Sequence, residues 1–148
     1  MMLVKATTRL AVLGGAALVF SAVAAASAAP TAKPLHKLSV NSYGRLAVNM
    51  KDVSEPAQAC AEVYRGRHLI ATGRHAVLPR RNALPPNSAI VRVQLPHPLP
   101  PTGTKLRIRL KLTAQHGGGV RHYDYIASVS HPHFVRPPRE RVSRRRCG

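Results

Sequence analysis

The chain has 148 residues, of which 23 are Lys or Arg and five are Asp or Glu, for a formal net charge of +18. That length sustains one modest hydrophobic core. Five acids, four Tyr, two Phe and no Trp leave little material for paired-carboxylate catalysis or for stacking on nucleic-acid bases, while the basic excess favours polyanionic partners. A GC-rich coding bias toward Ala, Arg, Pro, Gly and Val yields the same excess without any selection for binding. The residues alone leave both explanations open.

The first thirty residues read MMLVKATTRLAVLGGAALVFSAVAAASAAP. Lys5 and Arg9 make a short positive region, Leu10 to Val23 is apolar and uncharged, and Ala26-Ser27-Ala28 is a small-x-small site. This is the layout of a secretory signal peptide over 1–28, cleaved after Ala28. An uncleaved anchor is the alternative, since the apolar run approaches the roughly 20 residues that span a bilayer. No cysteine lies near the cut, so lipid attachment is not indicated, and no later segment is long or apolar enough to span. Cleavage removes Lys5 and Arg9 and takes the charge from +18 to +16.

Residues 29–37, APTAKPLHK, read as a flexible lead-in. Leu38 to Asn41 is a short strand and Tyr43-Gly44 a turn. Arg45 to Lys51 alternates, with Leu46, Val48 and Met50 on one face. Asp52 to Gln58 is a loop around Glu55-Pro56. Ala59 to Tyr64 and His68 to Gly73 form a hairpin turned by Arg65-Gly66-Arg67. Its first arm carries Ala59, Ala61 and Val63 on one face and Cys60, Glu62 and Tyr64 on the other. His75 to Leu78 is a further short edge strand. Arg80 to Ser88 is a loop, and Ala89 to Leu95 alternates again. Pro96 to Gly103 has four prolines and is an extended connector between two sheets.

Thr104 to Thr113 is the clearest element. Leu106, Ile108, Leu110 and Leu112 alternate with Lys105, Arg107, Arg109 and Lys111. A strand sends successive side chains to opposite faces, so one face is aliphatic and the other fully cationic. Gln115 to Gly119 is a glycine turn. Arg121 to Ser130 returns against it, with Tyr123, Tyr125, Ala127 and Val129 on one face. Residues 131–148, HPHFVRPPRERVSRRRCG, carry six arginines against Glu140 and have no periodicity; they read as a disordered or loosely held cationic tail.

Short strands with turn signals between them and no helical stretch point to an all-β fold, a single antiparallel β-sandwich of about six to seven strands over 38–130. The strand order, the proline-rich crossover and the closing glycine hairpin resemble immunoglobulin-like or fibronectin-type-III-like modules of exported bacterial proteins. The antibody-type Cys…Trp…Cys signature is missing. The resemblance implies a structural or binding module and no particular chemistry.

Two cysteines, Cys60 and Cys147, form an even set in a chain expected to be exported. A disulfide between them would staple the tail to the domain; an intermolecular bond or two free thiols are the alternatives. No nucleophile elbow, HExxH or phosphate-cradling loop occurs. Glu62 and Asp124 fall mid-strand, where a lone acid among cations serves a cross-strand ion pair. His131 and His133, with His122 or His116, are the available metal ligands; they lack acid or sulfur partners and sit in a cationic neighbourhood, so neither a metal nor another cofactor is expected.

The anion-binding candidates are therefore Lys105, Arg107, Arg109 and Lys111 on the strand face and Arg144, Arg145 and Arg146 in the tail, with Arg92 and Arg121 beside the strand patch. The duller reading is a solvated face kept charged against self-association. The expected protein is a secreted or cell-envelope, non-enzymatic module. It would contact anionic surface polymers, or dock on another exported protein through an edge strand. Specific nucleic-acid binding is not expected, and a secreted enzyme or metal-binding protein ranks behind both readings.

Overall fold

The computed structural model describes residues 28–78, 82, 87–130 and 135–148. Apart from Ala28, the expected signal segment lies outside them. Eight strands form in chain order: β1 Lys33–Pro34, β2 Lys37–Val40, β3 Arg45–Lys51, β4 Ala57–Arg65, β5 His68–Val77, β6 Ala89–Gln94, β7 Lys105–Ala114 and β8 Val120–Ser130. Among the described residues no helix is long and apolar enough to cross a membrane.

The strands make one sheet in which β3, β2, β8, β7, β4 and β5 are successive neighbours. β1 and β2 occupy consecutive stretches of one edge of β3, facing Met50–Lys51 and Leu46–Ala47 in turn, and β6 pairs along its other edge. At the far end of the path β5 returns toward β6. A Cβ built on Gly73 would sit 2.3 Å from the Arg92 carbonyl oxygen and 2.8 Å from Val93 Cγ2. The two ends touch there, yet no ladder joins them among the described strands, so the sheet curls into a sandwich-like shape without closing.

Burial follows the alternation read from the sequence. Leu106, Ile108, Leu110 and Leu112 are buried, as are Leu46, Val48 and Met50 of β3 and Val91 and Val93 of β6. They share one core with Leu38, Ala59, Ala61, Val63, Ala127 and Val129. Burying each of the larger aliphatic side chains is worth about 1.5–3 kcal/mol. The hairpins β4–β5 and β7–β8 form as expected, and Gly66 takes the left-handed φ of +60° that the first of them needs.

Several expectations are corrected. The sheet is mixed: β2 runs parallel to β8, with Leu38 opposite Val129. That single parallel contact joins two otherwise antiparallel halves. The resemblance to immunoglobulin-like modules thus extends only to a sandwich-like all-β fold. The described residues form eight strands where about six to seven were expected. His68–Val77 is one continuous strand, because β4 offers it an unbroken partner apart from a register shift between Val63 and Tyr64. Pro96 to Gly103 connects β6 to β7 within this one sheet, where a crossing between two sheets was expected. The lead-in is tied down: Ala32 is buried, its N–H donates to the Tyr123 hydroxyl at 2.8 Å, and Lys33 pairs with Asp52 at 3.0 Å.

The tail departs most from expectation. Residues 135–148 lie along the sheet as a strap. Arg136 N–H donates to Ser42 O, and Arg136 and Arg139 both donate to the Tyr43 hydroxyl. Glu140 pairs with Arg45. Val142 packs against the core, and Ser143 bridges Thr72 on the open edge of β5. The strap ends at a disulfide between Cys147 and Cys60, with Cα atoms 5.7 Å apart. Residues 131–134, at the start of the expected loose tail, lie outside the described residues.

Candidate functional site

β7 lies between β4 and β8, so its outward side chains stand in rows across three strands. Lys111 is flanked by Cys60 and His122, Arg109 by Glu62 and Asp124, and Arg107 by Tyr64 and Ile126. Two residues along a strand span about 6.8 Å, which sets the spacing of the rows. Lys105 extends the ladder opposite Ser128. The expected cationic face is present in its geometry.

The face is not a bare row of charges. Asp124 takes Arg107 Nε on Oδ1 at 2.7 Å and a second guanidinium N–H on Oδ2, and Arg109 Nε approaches Oδ2 at 3.4 Å. The hydrogen bonds from Arg107 hold the Asp124 carboxyl below its usual range, and the same contact holds the Arg107 guanidinium above its own. The cross-strand ion pair expected for Asp124 is therefore formed. Arg109 also lies 5.2 Å over the Tyr64 ring.

Glu62 behaves differently. It faces Arg109 in register, but its partners are the Tyr64 hydroxyl on Oε2 and the Cys147 N–H on Oε1, each at 2.7 Å. Donation to Glu62 raises the Tyr64 hydroxyl above its ordinary value, with burial adding to the effect. Cys60, Glu62 and Tyr64 occupy the face of β4 turned away from the core, yet each is only 8% exposed. The strap accounts for this. It lays Cys147 and Gly148 over β4 and β7, where Lys111 Nζ donates to a backbone oxygen of Gly148 at 2.7 Å. Beside it, Arg74 donates to the Arg146 carbonyl at 2.7 Å.

Between the strap end and β7–β8 lies a cavity of about 370 Å³, walled by Arg109, Lys111, His122 and Arg146 together with Glu62, Asp124, Tyr64 and Cys147. Here the structure brings together three of the expected anion-binding positions, Arg109, Lys111 and Arg146. Arg144 and Arg145 lie farther along the strap, with Arg144 Nε toward the Ile70 carbonyl at 3.4 Å. Arg107 and Lys105 continue the outer face beyond the cavity. Two residues placed beside the patch from sequence do not join it. Arg121 is opposite Leu112, on the inward parity of β8, where the strand end leaves it exposed. Arg92 stands on β6, at the other end of the sheet path.

Sequence reasoning missed Glu62, Tyr64 and His122 as members of this site. A signal was available: Cys60, Glu62 and Tyr64 share one face of β4, so a Cys60–Cys147 bond lays the tail over the other two. Among the described residues no three His, Cys, Asp or Glu side chains gather as a metal site, and His131 and His133 lie outside them. No protein-family model, no curated protein and no solved structure matches the chain.

Proposed function

We propose that the chain is an exported, non-enzymatic binding module of the cell envelope that contacts anionic surface polymers through the outer face of β7 and the basic strap. The observation that carries this reading is the disposition of charge. Asp52, Asp124 and Glu140 are each engaged by Lys or Arg, and Glu62 is engaged by Tyr64 and the strap. Among the described residues most of the remaining cations, Arg144, Arg145 and Arg146 among them, are exposed, and Lys and Arg outnumber the acids several-fold in the sequence. A surface of this kind attracts repeated phosphates or sulfates, and the attraction weakens with salt.

The rival reading, docking on another exported protein through an edge strand, has less support. The open edge of β5 is already taken at Thr72 by Ser143.

The test is retention on heparin-agarose and on isolated cell wall across a salt gradient. The wild-type chain is expected to elute late, and a variant with Lys105, Arg107, Arg109 and Lys111 all replaced by Gln to elute early with an unchanged far-UV spectrum. Elution of both at the same salt contradicts a role for the strand face.

A further inference from the structure

Lys111 and Arg146 are 35 positions apart in sequence and line the same cavity. Three contacts fix the strap where they meet. Cys147 is bonded to Cys60, its N–H is held by Glu62, and the Arg146 carbonyl is held by Arg74. The disulfide thus carries the tail cations to the strand cations.

We infer that this cavity, completed by the Cys60–Cys147 disulfide, is a discrete oxyanion site that takes one phosphate or sulfate group of an anionic polymer. Arg109, Lys111, His122 and Arg146 are its donors. This deepens the polymer-binding reading and rests on it. Hydrogen-bond capacity supports the assignment. The acids at the cavity are occupied: Glu62 by Tyr64 and Cys147, Asp124 by Arg107 and Arg109. The Arg146 guanidinium and the His122 ring have no hydrogen-bond or ion-pair partner among the described residues, and both line the cavity. Lys111 Nζ is itself held by backbone oxygens of Gly148 and Cys147 and lines the same cavity. Arg guanidinium groups match tetrahedral oxyanions with paired N–H donors. A volume of about 370 Å³ holds such a group with part of the polymer unit that carries it.

The site separates from general charge attraction, because breaking the disulfide leaves the net charge unchanged while releasing Arg146 from Lys111. Two short probes test it by calorimetric titration, a sulfated heparin tetrasaccharide and inorganic tetraphosphate, with the His122 ring signal followed by NMR. The expected result is one-to-one binding of at least one probe with a shift of the His122 signal. Arg146→Gln, which keeps the disulfide, and the double variant Cys60→Ser with Cys147→Ser should each weaken it by about tenfold, the loss of one charge-assisted partner. Both variants should still be retained on long-chain heparin. Binding by one probe alone supports the site and identifies its group as sulfate or phosphate. Unchanged affinity in Arg146→Gln, or an unmoved His122 signal, overturns it. If long heparin retains the wild type while neither short probe binds, this site falls and the wider reading stands; if long heparin fails to retain the wild type, both fall.

Discussion

The Cys147 N–H donates to Glu62 Oε1 at 2.7 Å across 85 positions of sequence. The same carboxylate takes the Tyr64 hydroxyl on its other oxygen, so one buried acid on β4 docks the end of the strap beside the disulfide. Hydrogen bonds to a charged group contribute about 1.5–3 kcal/mol, and stranding their buried partners adds to the loss. Glu62→Ala is expected to destabilise the fold by about 2–3 kcal/mol and Glu62→Gln by less, because the amide keeps one acceptor. Urea-unfolding midpoints measure this. A shift within a few tenths of a kcal/mol for Glu62→Ala would remove the docking role.

The disulfide closes a separation of 87 residues. Constraining so long a loop in the unfolded chain stabilises the fold by up to about 4–5 kcal/mol in the chain-entropy view. Replacing both cysteines by Ser should lower the urea midpoint more than any single change on the outer face. Equal stability of the two chains would mean that the strap adds nothing to folding.

Gly73 is where β5 crosses β6. A methyl group there meets the backbone oxygen of Arg92 at 2.3 Å, and backbone cannot step aside as a flexible side chain can. Gly73→Ala is expected to cost about 1–3 kcal/mol or more. Gly66→Ala has nothing within 4 Å and adds only the strain of its positive φ, about 1–2 kcal/mol. Thermal melts of the two variants should rank Gly73→Ala lower, and the reverse order would contradict the close approach of the sheet ends.

The Arg107–Asp124 contact predicts an acid limb. The folded Asp124 carboxyl titrates below its unfolded counterpart, so its contribution is present above the unfolded value of about 3.9 and is lost as pH falls through the folded one. Asp124→Asn should flatten stability against pH over that window. Tyr64 works in the opposite sense. Its folded hydroxyl titrates above the ordinary phenol range, so its contribution is present below the unfolded value of about 10 and fades as pH rises through the folded one. Tyr64→Phe should remove that alkaline limb. Chemical denaturation across pH checks both, and profiles parallel to wild type would show that the contacts are not formed in solution.

The legible parts of this fold were local. The alternation of Leu106, Ile108, Leu110 and Leu112 with four cations fixes which face of β7 meets the core, and the glycines at 117–119 leave β8 one short way back. The parallel pairing of Leu38 with Val129 joins strands about 90 residues apart, and no period or turn residue announces it. Both faces of β4 are buried, although alternation assigns Cys60, Glu62 and Tyr64 to water. What covers them is a proline- and arginine-rich segment with no periodicity of its own, whose composition reads as disorder. A disulfide, a buried acid and two arginines on Tyr43 hold it instead, and these are long-range contacts that composition does not record. The candidate site was legible in half: the strand cations were visible as a face, and their meeting with Arg146 followed only from the path of the strap.

One contact on the edge of β5 reports the path of the strap most directly. The Thr72 N–H donates to the Ser143 carbonyl at 2.7 Å, on the edge of β5 that faces away from β4. Amide hydrogen exchange at Thr72 reads this bond directly. The strap predicts slow exchange in the wild-type chain and much faster exchange once Cys60 and Cys147 are both replaced by Ser, with Val63 in β4 protected in each. Exchange at the rate of an open edge in the wild type would contradict it.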